Sequence, residues 1–116
     1  MNYWIQNLVP HGSPEEIGVI QLAWLGDAVW ELHQRLRHVY IPLKSKELHL
    51  SVVNEVKAQA QSKSLDDIEH LLNSFETNLV RRARNKTKNF PKSSDPVVYS
   101  RATGFETLIG WLFLKD

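Results

Sequence analysis

Apolar residues recur along most of the chain at helical spacing, and no segment shows the strict alternation of a half-buried strand. Ser13-Pro14-Glu15-Glu16 predicts a helix start, with Ser13 as cap, Pro14 in the first helical position and Glu16 closing a capping box. Behind it Ile17, Ile20, Trp24 and Ala28 form one stripe, and Leu22, Leu25, Val29, Leu32 and Leu36 form another. Two stripes cover more than one face, so this helix is central and ends near Tyr40, before Pro42. A second helix is predicted from about Ser45 to Lys63, with Leu48, Val52, Val56, Gln59 and Ala60 inward. Ser64 then caps a short third helix bearing Leu65, Ile68, Leu71, Leu72 and Phe75. A fourth, about Glu76 to Asn85, carries Leu79, Val80 and Ala83. The polar, basic stretch from Asn85 to Ser94 holds Pro91 and predicts a loop. Asp95-Pro96 opens the last helix, where Val98, Ala102, Phe105, Ile109 and Leu112 face one way. The pattern predicts an all-α single-domain bundle of about five to seven helices, with residues 1–12 as an N-terminal extension.

Composition narrows the function classes. With 116 residues, 42% hydrophobic and 23% charged, the chain suits one globular domain and is too short for a TIM barrel or a full dinucleotide-binding fold. The absence of cysteine excludes disulfides, thiolate metal sites and a cysteine nucleophile. Met1-Asn2-Tyr3-Trp4 lacks the basic start and apolar core of a signal peptide, and the apolar run Ile17 to Val29 is interrupted by Gln21, Gly26 and Asp27. A cytoplasmic protein without a membrane anchor is expected. Net charge is only +1, but its distribution is uneven. Arg81, Arg82, Arg84, Lys86, Lys88 and Lys92 crowd one stretch that holds no acidic residue, and all 13 acidic residues lie elsewhere. Such a segment either meets an anionic partner or is a solvated helix end whose cations complement the helix dipole.

Two carboxylates stand out. Asp27 lies within Leu22-Ala23-Trp24-Leu25-Gly26-Asp27-Ala28-Val29-Trp30, and Glu106 within Gly104-Phe105-Glu106-Thr107-Leu108-Ile109-Gly110-Trp111. An ionised carboxylate in apolar surroundings costs several kcal/mol unless it is paired or coordinates a metal. Helix-interior Gly26, Gly104 and Gly110 accompany them, each costing about 1 kcal/mol against alanine, which points to close approach of another backbone or a ligand. Two such carboxylates meeting across packed helices suit Mg²⁺ or Mn²⁺. The other reading is that each caps a neighbouring group or pairs with a buried arginine. The five histidines show no ligand spacing and suit surface or capping roles; Glu31, one turn after Asp27, suits an ion pair or a supporting place beside the site, and Asp95 a helix cap.

These residues resemble a family. Leu25-Gly26-Asp27-Ala28-Val29 is similar to the leucine-glycine-aspartate-alanine signature of ribonuclease III catalytic domains, and Phe105-Glu106-Thr107-Leu108-Ile109-Gly110-Trp111-Leu112-Phe113-Leu114 to their second acidic motif. The closer resemblance is to Mini-ribonuclease III, the bacterial branch without a separate double-stranded-RNA-binding domain. Gly26-Asp27-Ala28-Val29-Trp30-Glu31, Lys57-Ala58-Gln59-Ala60, and Arg82-Ala83-Arg84-Asn85 leading to Pro91-Lys92 and Asp95 extend it over about residues 17 to 115. Full-length ribonuclease III carries glutamates where this chain has Ile20 and Ala23, and an aspartate where it has Thr103. These departures look like the Mini-ribonuclease III pattern.

The resemblance implies the ribonuclease III endonuclease-domain fold and Mg²⁺-dependent endonucleolysis of double-stranded RNA, leaving 5′-phosphate and 3′-hydroxyl ends. It implies Asp27 and Glu106 as catalytic metal ligands, with water, RNA phosphate and Glu47, Asn54 or Glu55 as candidates to complete the shell. It implies RNA contacts from Arg81, Arg82, Arg84, Lys86, Lys88 and Lys92, and a homodimer with Trp24 at the twofold interface. From the residues alone Trp24 suits a core position better than an interface, and Trp30, Trp111 and Phe113 suit core or interface. The implied substrate is the precursor of large-subunit ribosomal RNA. A non-catalytic RNA-binding or ribosome-associated module on the same scaffold is the alternative.

Overall fold

The structure is a computed structural model that describes residues 3–8, 12–40, 54–90, 92 and 94–115. These residues form five α-helices: α1 (Tyr3–Leu8), α2 (Val19–His38), α3 (Asn54–Ile68), α4 (Ser74–Lys86) and α5 (Pro96–Lys115). Two 3₁₀ turns, Pro14–Glu16 and Glu69–Leu71, precede α2 and follow α3. The fold is all-α, as the periodicity predicts. No described helix is long and apolar enough to cross a membrane.

The last helix is the centre of the bundle. α5 packs against α2, α3 and α4, most extensively against α2. Ala102, Phe105, Leu108 and Trp111 of α5 are all buried. On one side Val19, Leu22, Leu79 and Ala83 close around Trp111; on the other Leu65, Val80 and Phe105 close around Leu108. Removing any of these large side chains leaves a cavity and costs about 2–5 kcal/mol.

Glycines set how closely α2 and α5 approach. A Cβ on Gly26 would fall on the carbonyl oxygen of Glu106 and lie 2.9 Å from the Gly110 nitrogen. A Cβ on Gly110 would fall on the Leu22 carbonyl oxygen. The helices therefore meet backbone to backbone, at the cost in helix propensity noted above. One turn before Gly110 in α5, the buried Thr107 hydroxyl donates to the Val19 carbonyl at 2.9 Å and fixes the register of the pair. Gly104 plays the corresponding part toward α4, where a Cβ would lie 2.9 Å from Val80 Cγ1.

Local signals were realised unevenly. Asp95 caps α5, its Oδ1 accepting from Val97 N at 2.8 Å. The predicted start at Ser13 is instead a separate 3₁₀ turn, and α2 begins after Gly18. The Ser13 hydroxyl donates to the Glu15 carboxylate rather than accepting from the backbone. The working capping box belongs to α4: Asn73 Oδ1 accepts from Glu76 N at 2.8 Å, and Glu76 Oε1 accepts from Asn73 N at 3.0 Å.

Ser64 does not start a third helix, because α3 runs through it to Ile68. The inward face of α3 is also displaced from the expected one. Gln59 and Ala60 are exposed, whereas Gln61, Ser62 and Leu65 are buried. Burial here follows contact with α5, and polar Gln61 and Ser62 occupy places that apolar patterning cannot find. Leu71, expected on an apolar face, is 72% exposed, and Phe75 belongs to the first turn of α4, where its ring packs against Trp111 at 5.0 Å. The expected inward residues Leu48 and Val52 and the side chain of Val56 lie outside the described residues.

Candidate active site

α2 brings Asp27, and α5 brings Glu106, to one polar pocket of about 180 Å³. α3 supplies Lys57, Ala58 and Gln61 to the same pocket, and Ser94, Tyr99 and Thr103 complete its wall. The two acids come together because Gly26 lets α2 rest on the backbone of Glu106 itself. Their environments differ. The Asp27 side chain is 43% exposed, that of Glu106 only 16%. Asp27 thus stands at the mouth and Glu106 deeper in the wall.

One cation already sits between them. The Lys57 ammonium group, on a side chain 12% exposed, ion-pairs with Asp27, lies 3.3 Å from Glu31 Oε1 and lies 3.9 Å from Glu106 Oε2. Burial lowers the Lys57 pKa, and the charge of Glu106 resists that shift. Burial also pushes the Glu106 carboxyl up to about 7, the Lys57 charge opposing this and Glu31 adding to it. The adjacent Gln61 amide favours the charged carboxylate as well, yet its Nε2 is buried without a hydrogen bond of regular geometry. The pocket therefore holds a carboxyl that changes protonation near neutral pH, an ionic contact at its mouth and a buried amide donor with spare capacity. Such a constellation suits binding a cation and a phosphate oxygen together.

The other expected site residues fall as follows. Thr103 lines the pocket, but its hydroxyl is turned to the Tyr99 carbonyl at 3.1 Å. Ile20 is 46% exposed and Ala23 is buried, so neither position offers a donor. Glu31 is ion-paired, to Lys57 and, at 4.0 Å, to Arg35. Glu47 and the side chains of Asn54 and Glu55 lie outside the described residues. Among the described residues no group of three or more acids and histidines is spaced to hold a metal ion. His33 stacks on Trp30, His38 Nδ1 meets the Gln34 carbonyl at 2.7 Å, and His70 is exposed; His11 and His49 are outside the described set.

Arg81, Arg82, Lys86, Lys88 and Lys92 are exposed, while Arg84 is half-buried with its Nε unpartnered. Arg81 and Arg84 flank a second hollow with Asn85, Phe90 and Val97. Phe90, within the basic stretch, packs edge-on against Tyr99 at 5.8 Å, and Tyr99 lines the acidic pocket. Trp24 is not core: it is 81% exposed beside an apolar groove shared with Trp4, Leu25, Leu32 and Phe113. Trp111 is core, and Trp30 is half-buried edge-on to Phe105.

Spacing alone gives Lys57 and Gln61 no role. A lone lysine on a polar helix looks like any solvated lysine until α2 and α5 are placed against it.

The Ribonuclease III domain model matches residues 20–116. A Mini-ribonuclease 3 of Synechocystis sp. is 35% identical over 115 residues, covering 97% of this chain and 80% of the relative. A Mini-ribonuclease 3 of Gloeobacter violaceus is 44% identical over 95 residues, covering 82% and 70%. The crystal structure of a Fusobacterium nucleatum protein superposes with a TM-score of 0.78 at 32% identity, over 86% of this chain and 83% of that one. The glycine-lined crossing, the two acids it brings together and these likenesses converge: the chain belongs to the ribonuclease III domain family, within its Mini-ribonuclease 3 group.

Proposed function

We propose that the chain is a Mg²⁺-dependent endoribonuclease acting on double-stranded or otherwise structured RNA, with Asp27 and Glu106 as its metal ligands and Mn²⁺ as a competent substitute. The observation that carries this reading is the approach of both carboxylates to a single cationic nitrogen inside one polar pocket. The donor set fits a hard divalent ion: two oxygen ligands from different helices, one near solvent and one sheltered, already neutralise a cation between them. When bound there, Mg²⁺ supplies Lewis-acid activation of the scissile phosphate and a water of lowered pKa. The chain's own residues do the rest. Asp27 and Glu106 hold the ion, and Gln61 Nε2 offers a donor to a water or phosphate oxygen. The products are 5′-phosphate and 3′-hydroxyl ends.

Arg81, Arg82, Arg84, Lys86, Lys88 and Lys92 neutralise the RNA backbone in this reading. Their affinity is salt-dependent and largely indifferent to sequence, as shape-based recognition of a duplex requires. The chain acts as a homodimer through the apolar face around Trp24, so that two pockets address the two strands of one duplex. What supports this is the exposure of a large aromatic side chain beside an apolar groove of about 480 Å³. The physiological substrate is the precursor of large-subunit ribosomal RNA, in the cytoplasm. The chain as a whole, residues 1–116, forms a single catalytic domain with a short N-terminal extension.

A second reading has one observation in its favour. Lys57 already neutralises the acids, as a site retired to plain RNA binding would allow. Incubation of a long RNA duplex with and without Mg²⁺, beside Asp27→Asn, separates the two. Fragments from the wild-type protein with Mg²⁺ alone support the nuclease. Bound but intact RNA in every sample supports the binding module.

A further inference from the structure

The most unusual group in the pocket is a lysine. Lys57 extends from α3 across to α2 and α5, its side chain almost wholly sheltered, and its ammonium meets Asp27, Glu31 at 3.3 Å and Glu106 at 3.9 Å. Two of those carboxylates are the proposed metal ligands. A cation that touches the ligand oxygens of another cation cannot be neutral to its binding. We propose that Lys57 is a resident counter-cation of the acidic pocket, which a divalent ion must displace, and that it thereby sets how tightly the two carboxylates hold the metal. The inference rests on the nuclease reading of the site.

Without metal, Asp27 and Glu106 line one pocket and share Lys57 with Glu31, and mutual repulsion would spread the acids. Lys57 removes that repulsion and keeps the acids in place. A divalent ion held by the same carboxylates would make the ammonium a repulsive neighbour or require it to leave its partners. Either route subtracts from metal affinity. The lysine stem is long and flexible, so displacement needs only rotamer changes. Lys57 is thus a positioning residue: it shapes the pocket and is not itself required to touch RNA. It makes the pocket release metal more readily than a bare pair of acids would.

The test is a titration of the full chain with Mn²⁺ in the absence of RNA, followed by the electron-paramagnetic signal of the free ion. Wild-type protein takes up Mn²⁺ saturably, and the double variant Asp27→Asn, Glu106→Gln does not. Lys57→Met keeps the buried stem and removes the charge, and its apparent Kd is at least tenfold tighter. Lys57→Arg, which restores the charge, stays within about threefold of wild type. If holding the acids in place outweighs competition with the ion, losing the lysine weakens binding instead. Unchanged or weaker binding by Lys57→Met, with wild type binding and the double variant not, overturns the proposal and leaves the site reading intact. A wild-type protein that takes up no Mn²⁺ overturns the site reading and this proposal with it. Should Lys57→Met fail to fold, the ammonium resonance of Lys57 in ¹⁵N-labelled wild type decides the matter. It shifts or broadens on adding Mg²⁺ if the group is displaced, and a resonance unmoved at saturating Mg²⁺ overturns displacement.

Discussion

Replacing Glu106 with glutamine exchanges a sheltered carboxyl for a neutral group of nearly the same shape, and the pocket geometry gives the size of the effect. In the folded chain the Glu106 carboxyl is pushed up to about 7, chiefly by burial, from an ordinary value of 4.5. That difference corresponds to about 3 kcal/mol. The sign follows from proton uptake. Between pH 4.5 and about 7 the folded state holds a proton that the unfolded chain has lost, so raising the pH through this window withdraws stability. Glu106 therefore costs the metal-free protein about 3 kcal/mol at pH 8 and less than about 1 kcal/mol at pH 5. Glu106→Gln is free of this penalty at both. In urea unfolding with EDTA present, the variant should exceed wild type by roughly 1–2 M in midpoint at pH 8 and differ little at pH 5. Its nuclease activity should nevertheless fall to background. An equal midpoint difference at both pH values, or a variant less stable than wild type at pH 8, would refute the reasoning by showing that Lys57 fully compensates the ionised carboxylate.

Further outcomes follow from the same geometry. Gly26→Ala should cost about 4 kcal/mol or more, measured by chemical unfolding, because the new methyl collides with main-chain atoms that have no rotamer to escape into; a tolerated alanine would mean that α2 and α5 do not cross there. Joint replacement of Lys86, Lys88 and Lys92 by alanine should lower the slope of log affinity for duplex RNA against log salt by about two to three, leaving the fold unchanged. Trp24→Glu should convert a dimer to a monomer by sedimentation at micromolar concentration, and a wild-type monomer under those conditions removes the interface from the proposal.

The contrast between α5 and α3 shows what patterning can and cannot reveal. α5 is buried on most sides, so its apolar run, its glycines and its one acid are all conspicuous in the sequence. Asp27 is conspicuous for the same reason, as a charge amid leucines and tryptophans. α3 offers little contrast. Its buried positions include Gln61 and Ser62, and its functional cation, Lys57, sits on a strongly polar helix. Such residues acquire meaning only from what faces them, and one sequence does not encode that locally. Capping signals show the same dependence on surroundings. Ser13-x-x-Glu16 and Asn73-x-x-Glu76 look alike, yet only the second is used, because Glu15 diverts the Ser13 hydroxyl. Trp24 marks the limit for aromatic residues: periodicity assigns it a face, not whether that face is covered.

Gly26 seats α2 directly on the Glu106 carbonyl. The gap between the two acids is gauged by peptide groups touching, with no interposed hydrocarbon to swell or shrink.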